Sequence, residues 1–173
     1  MNNQTNLVLL GFMGTGKSAA GRRVAELARQ PFLDMDAELE RRAGKAISKI
    51  FAEDGEGAFR DMESQLAAEW GGQKLGAVIA CGGGVVLREE NLRALGANGV
   101  LVCLTARPEV ILERTARSKK RPLLAGEDPE RKIRELLAAR AGHYAKIPIQ
   151  IDTSDAPLDE LAARLQAAWE TGR

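Results

Sequence analysis

The segment Gly11-Phe12-Met13-Gly14-Thr15-Gly16-Lys17-Ser18 constrains this chain more than any other feature. It fits the pattern G-x-x-x-x-G-K-[ST], follows the apolar run Leu7–Leu10 and opens a helical pattern. That context makes the motif a phosphate cradle. Glycines let consecutive backbone N–H groups curl around phosphate oxygens, and the helix that follows adds its positive end. Lys17 reaches the β and γ phosphates of a nucleotide, and Ser18 offers a hydroxyl to Mg2+. The loop alone does not name a reaction, since GTPases, ATPases and kinases share it.

The rest of the chain gives the loop its frame. Apolar runs at Leu7–Leu10, Pro31–Leu33, Ala77–Ala80, Val100–Leu104 and Ile147–Ile151 read as strands. Helical patterns separate them: Gly16–Arg29 with Val24, Leu27 and Ala28 on one face, Ala37–Ala43, Ser48–Ala52, Gly57–Trp70, Glu89–Leu95, one opened by Pro108, and Leu158–Trp169. Such alternation predicts an α/β fold, a parallel sheet covered on both faces, with ligands beyond the carboxyl ends of its strands. With 173 residues, the chain reads as one domain.

Composition excludes several classes of function. Lysine and arginine total 25 against 24 acidic residues, so no global field draws nucleic acid or an anionic membrane. No apolar run approaches a membrane span, and Met1–Thr5 lacks the layout of a signal peptide. The single histidine, His143, rules out histidine-cluster metal sites. Cys81 and Cys103 sit in or beside apolar runs and read as buried free thiols in the cytoplasm. No obligate protein partner is evident.

Which kind of nucleotide protein this is follows from smaller features. No Asn-Lys-x-Asp segment for guanine is present, and Asp54-Gly55-Glu56-Gly57 reads as a helix-ending turn. Asp34 and Asp36 end the second strand two residues apart, which would place them on one face of it. One could hold Mg2+ through water and the other accept a hydroxyl proton, while helix capping is the plainer use of Asp36. Gly82-Gly83-Gly84 after the third strand permits a ligand to approach backbone N–H groups, or is simply a flexible turn. Arg60 and Arg140 could grip a carboxylate together, with Glu63 holding Arg60 in place; each alone is an ordinary surface arginine. Arg121, in the basic, Pro- and Gly-marked stretch Arg117–Gly126, could neutralise a phosphoryl group in transfer.

Taken in order, Gly11–Ser18, Asp34-Met-Asp36, Phe59-Arg60-x-x-Glu63, Gly82-Gly83-Gly84, Arg121-Pro-Leu-Leu and Arg140-x-x-x-Tyr144 resemble the shikimate kinase family over nearly the whole chain. The resemblance implies a nucleoside-monophosphate-kinase-like fold, with a five-stranded parallel sheet in order 2-3-1-4-5. It implies ATP as co-substrate, Mg2+, and shikimate phosphorylated on its 3-hydroxyl.

By that resemblance Gly14, Thr15, Gly16, Lys17, Ser18 and Ala19 hold the phosphates of ATP, and Arg114 and Pro157 flank its adenine. Lys17 and Arg121 stabilise the phosphoryl group, and Ser18 and Asp34 serve Mg2+. Asp36 is the base and contacts the shikimate hydroxyls, Arg60 and Arg140 hold its carboxylate, and Gly82, Gly83 and Gly84 line its pocket. Phe51 and Phe59 pack near its ring. The resemblance places the acceptor-binding region at Ser48–Glu69, within about residues 35–70, and a lid at about residues 115–126. Two positions depart from the family: Cys81 stands where many members carry Ser or Thr, and Lys49 replaces a common acidic residue. The rival readings are a gluconate kinase, a nucleoside monophosphate kinase, and a non-catalytic nucleotide-binding module.

Overall fold

The computed structural model describes residues 5–116 and 128–172. Among these residues a five-stranded, all-parallel sheet runs in the order β2-β3-β1-β4-β5. Its strands are β1 (Asn6–Gly11), β2 (Phe32–Asp34), β3 (Val78–Ala80), β4 (Gly99–Thr105) and β5 (Ile149–Asp152). The helices are α1 (Lys17–Ala28), α2 (Met35–Ala43), α3 (Ile47–Glu53), α4 (Gly55–Gly71), α5 (Glu89–Gly96), α6 (Pro108–Ala116), α7 (Pro129–Tyr144) and α8 (Leu158–Thr171), with one 3₁₀ turn at Val85–Leu87. The order is the one the resemblance implied.

The central strand shows how the pleat divides the core. Leu7 and Leu9 pack with Ala20, Val24 and Ala25 of α1 and Leu161 and Leu165 of α8. Val8 and Leu10 turn the other way, toward Met35, Leu66, Leu95 and Ile133. Alternate residues point to opposite faces, and both faces are covered, so Leu7–Leu10 is an unbroken apolar run. Side chains of β1 at all four positions are fully buried.

Several expectations shift at their edges, each for a local reason. β5 begins at Ile149, since Pro148 before it has no N–H to give a ladder. β2 begins at Phe32; Pro31 contributes only its carbonyl, to Val78 N at 2.9 Å. Ala77 N is taken by the Asn6 side chain at 3.3 Å rather than by the sheet. Leu27 is 47 % exposed, because the buried stripe of α1 is Ala20, Gly21, Val24 and Ala25. Helix α7 was missed altogether, since Arg, Glu and Lys crowd its first turns and only Ile133, Arg140 and Tyr144 are buried.

Asp54–Gly57 does end one helix, but it also starts the next. Asp54 closes α3, and Gly55, at φ 87, begins α4.

Candidate active site

The phosphate loop lies between β1 and α1, at the carboxyl edge of the central strand. Gly11 has φ 135, and a Cβ there would stand 2.2 Å from the Leu104 carbonyl oxygen of β4, so only glycine lets the chain leave the sheet at this point. Thr15 turns its side chain inward, donating to Phe12 O at 2.7 Å. Lys17 Nζ spans the loop and donates to Gly11 O at 2.7 Å and Phe12 O at 2.8 Å.

Gly14, Gly16, Lys17, Ser18, Ala19, Asp34, Asp36, Gly82, Gly83 and Arg114 all line one cleft of about 290 Å³, together with Met13, Ala80 and Cys81. β1, β2 and β3 are adjacent in the sheet, which brings their carboxyl ends, and so these residues, to one place.

The Asp-x-Asp pair reaches this cleft by a different geometry from the one expected. The two residues do not share a strand face. Asp34 ends β2 and is the N-cap of α2, its Oδ1 accepting from Asp36 N at 3.1 Å and Ala37 N at 3.3 Å. Asp36 stands in the first turn of the helix. The reason is that a capping aspartate satisfies the orphan N–H groups of a helix that starts at once, leaving no room for the strand to continue. The cap is therefore Asp34, not Asp36. Its other oxygen, Oδ2, accepts from Ser18 Oγ at 3.0 Å. A hydroxyl and a carboxylate oxygen thus meet beside Lys17, a donor set suited to a hard cation such as Mg2+. Among the described residues no group of three or more His, Cys, Asp or Glu could hold a metal by itself.

The triple glycine run packs closely against charged side chains and, at Gly83, against the phosphate-loop backbone, Met13 N at 3.4 Å and Gly11 O at 3.6 Å from a Cβ built there. A Cβ on Gly82 would lie 2.7 Å from Glu63 Oε1 and 2.8 Å from Asp36 Oδ1. One on Gly83 would lie 3.7 Å from Arg140 Nη1. One on Gly84 would lie 2.1 Å from Arg60 Nη1. The run is therefore a surface stripped of side chains, against which Asp36, Arg60, Glu63 and Arg140 gather.

Arg60 and Arg140 are not surface arginines: they are 8 % and 5 % exposed. Arg60 donates to Glu63 Oε2 at 2.5 Å and Glu56 Oε1 at 3.0 Å. Its guanidinium carbon lies 5.4 Å from the Phe59 ring centroid and 6.0 Å from that of Phe51. The two rings lie 5.0 Å apart. Burial works against the Arg60 charge, but Glu63 and Glu56 outweigh it and hold the guanidinium above its ordinary value. Burial pushes the Glu63 carboxyl up in turn, against the pull of Arg60. Arginine keeps its proton in proteins, so the guanidinium is the fixed charge of the pair and Glu63 its buried acceptor. Arg140 donates to Gly83 O at 3.3 Å and lies 5.8 Å from the Phe12 ring centroid. Tyr144, one helical turn on, donates to the same carbonyl at 2.7 Å.

On the opposite side of the phosphate loop, Arg114 of α6 donates to Gly14 O at 3.3 Å, Thr153 Oγ1 at 3.0 Å and Thr153 O at 2.7 Å. Pro157 is exposed and is the N-cap residue of α8. Arg121 and nearly all of the expected lid at about 115–126 lie outside the described residues. Cys81 and Cys103 are both free and buried. Three polar residues of the site escaped sequence reasoning. Glu56 had a usable signal, its i,i+4 spacing to Arg60. Tyr144 stood in a motif but with no assigned contact, and Thr153 had no signal at all.

A parallel sheet in this strand order, with the phosphate loop after its central strand and Lys17, Ser18, Asp34 and Asp36 lining one cleft, defines a P-loop kinase of the nucleoside-monophosphate-kinase-like fold. The family model described as shikimate kinase matches residues 13–170. The shikimate kinase of Desulforudis audaxviator is 52 % identical over 148 residues, covering 86 % of this chain and 77 % of the relative. That of Pelotomaculum thermopropionicum is 46 % identical over 155 residues, covering 90 % of each. The structure is similar to that of a shikimate kinase from Acinetobacter baumannii in complex with shikimate. Its TM-score is 0.91 and its identity 37 %, covering 98 % of this chain and 94 % of the other. A gluconokinase from Sinorhizobium meliloti matches at TM-score 0.58 and 17 % identity, a likeness of fold alone. The chain belongs to the shikimate kinase family.

Proposed function

We propose that this chain transfers the γ-phosphoryl group of ATP to the 3-hydroxyl of shikimate, giving shikimate 3-phosphate and ADP. The family supports a phosphotransferase with an alcohol acceptor. The observation that carries the acceptor is the gathering of Asp36, Arg60 and Arg140 around Gly82–Gly84, of which Asp36, Gly82 and Gly83 also line the cleft of the phosphate loop. Two buried arginines suit a carboxylate, and an aspartate between them and Lys17 suits a hydroxyl.

In this reading the loop from Gly14 to Ala19 holds the phosphates, and Lys17 leaves its carbonyl partners to neutralise the transferring group. Arg121 adds charge to the transferring group. Asp36 orients the acceptor hydroxyl and takes its proton. Arg60, braced by Glu63 and Glu56, and Arg140, braced by Gly83, fix the carboxylate, with Phe51 and Phe59 beside the ring. Catalysis is then alignment and charge neutralisation, with little covalent work for the protein.

Ser18 and Asp34 would hold Mg2+, which supplies charge to the β and γ phosphates when bound. The 3.0 Å contact between Ser18 Oγ and Asp34 Oδ2 supports that pairing. Arg114 and Pro157 would flank the adenine. Buried free thiols at Cys81 and Cys103 support the reducing cytoplasm as the compartment.

The product tests the reading. With MgATP and shikimate, mass spectrometry should find shikimate 3-phosphate in step with ADP. ADP release without a phosphorylated acceptor would overturn the assigned acceptor.

A further inference from the structure

We infer that Thr153 is a positioning residue for the nucleotide, through one hydroxyl that ties Arg114 to the phosphate loop. The inference rests on the nucleotide side of the proposed function and does not depend on which acceptor is used.

Thr153 follows β5 and is 1 % exposed. Its N–H donates to Thr105 O at 2.9 Å, which fixes the residue at the end of the sheet. Its Oγ1 lies 2.8 Å from Thr15 O and 3.1 Å from Thr105 O. A hydroxyl has one proton to give. We assign the proton to Thr15 O, the nearer of the two acceptors, in the middle of Gly14-Thr15-Gly16. The same Oγ1 accepts from Arg114 Nη1 at 3.0 Å. Arg114 lines the cleft and also donates to Gly14 O at 3.3 Å. One buried oxygen therefore joins the phosphate loop, through Thr15 O, to the Nη1 end of the guanidinium beside it.

The geometry separates this task from folding. The surrounding loop has its own anchors: Arg107 pairs with Asp155 at 2.7 and 2.8 Å, and its N–H donates to Ser154 Oγ at 2.9 Å. Arg114 keeps the Thr153 carbonyl, at 2.7 Å, whatever side chain stands there. Valine has nearly the shape of threonine and lacks only the hydroxyl. Serine keeps the hydroxyl and lacks the methyl.

The test is calorimetric titration of the purified chain with MgADP, beside steady-state kinetics. Thr153→Val should bind MgADP about tenfold more weakly, the loss expected for a buried hydrogen bond to a charged partner. The KM for MgATP should rise in step, and the KM for shikimate should stay within about twofold. Thr153→Ser should recover most of the affinity. If valine does not pack, Thr153→Ala reads the same loss. Unchanged MgADP affinity in the valine or alanine variant overturns the inference. So does a serine variant as weak as valine, which would assign the effect to the methyl group. Failure of the proposed function would show as absent shikimate-dependent turnover in the unsubstituted chain, and leaves the calorimetric comparison intact.

Discussion

Gly84 lies flat against Arg60: a Cβ built on the glycine would stand 2.1 Å from Nη1 and 2.3 Å from the guanidinium carbon. The third glycine of the run is thus the floor under Arg60, one of the two arginines proposed to hold the acceptor carboxylate. Gly84 has φ −97, open to any residue, so the need for glycine is one of space, not of backbone angle. Gly84→Ala should push the guanidinium out of its seat. The expected result is a KM for shikimate raised about tenfold or more with the KM for MgATP little changed. Steady-state kinetics with each substrate varied in turn checks it.

The brace behind Arg60 predicts a difference between two substitutions at Glu63. Glu63 is 1 % exposed, and its partner 8 %. Glu63→Ala leaves a buried cation with only the more exposed Glu56, and should cost about 3–5 kcal/mol of stability. Glu63→Gln keeps the shape and one hydrogen bond, so it should cost less. It should still weaken acceptor binding, because the guanidinium loses the buried one of its two ionic partners. Urea unfolding of both variants, beside their KM for shikimate, separates the two effects.

Asp34 has two tasks, and one substitution divides them. Asparagine caps a helix about as well as aspartate, so Asp34→Asn should leave melting almost unchanged. It removes the charge that Ser18 Oγ faces at 3.0 Å. The Mg2+ concentration for half-maximal turnover should rise about tenfold or more. Titrating turnover with Mg2+ at fixed ATP measures it.

Tyr144 predicts a limb of alkaline instability. Burial pushes its hydroxyl up to about 12 from an ordinary 10.0, with Arg140 pulling the other way. The unfolded chain then gives up this proton first. The stabilisation is full below about pH 10 and is lost as pH rises toward 12. Two units correspond to roughly 2–3 kcal/mol at the end of that window. Tyr144→Phe loses the 2.7 Å bond to Gly83 O and is less stable near neutral pH. Its further loss above about pH 10 should be smaller than that of the unsubstituted chain. Urea midpoints on both sides of that pH test the sign.

Cys81 and Cys103 should resist alkylation in the folded chain. Burial pushes both thiols up, Cys103 to about 11. The native chain should expose neither to iodoacetamide, and the denatured chain both. Rapid labelling of Cys81 in the native state would show that the cleft opens to it.

What the sequence disclosed divides along physical lines. The phosphate loop was legible because its glycines answer local demands, such as φ 135 at Gly11. The sheet order came with the resemblance, and strand positions came from apolar runs buried on both faces. Arg60 and Glu63 were legible as a pair because helical spacing alone brings them together. The Asp34–Asp36 geometry was misread, since a cap and a strand end share the same residues and only the helix start decides between them. Helix α7 was hidden because few of its residues are buried. Thr153 was invisible: its partners Thr15 and Arg114 are 138 and 39 residues away, and no local pattern encodes such a meeting.

Acceptor-dependent ADP release, measured on the purified chain with MgATP and either shikimate or gluconate, tests the central claim most directly. Release that requires shikimate and ignores gluconate is the predicted result. Release with gluconate would contradict the reading of Asp36, Arg60 and Arg140 as a shikimate site, and release with neither would contradict the kinase reading itself.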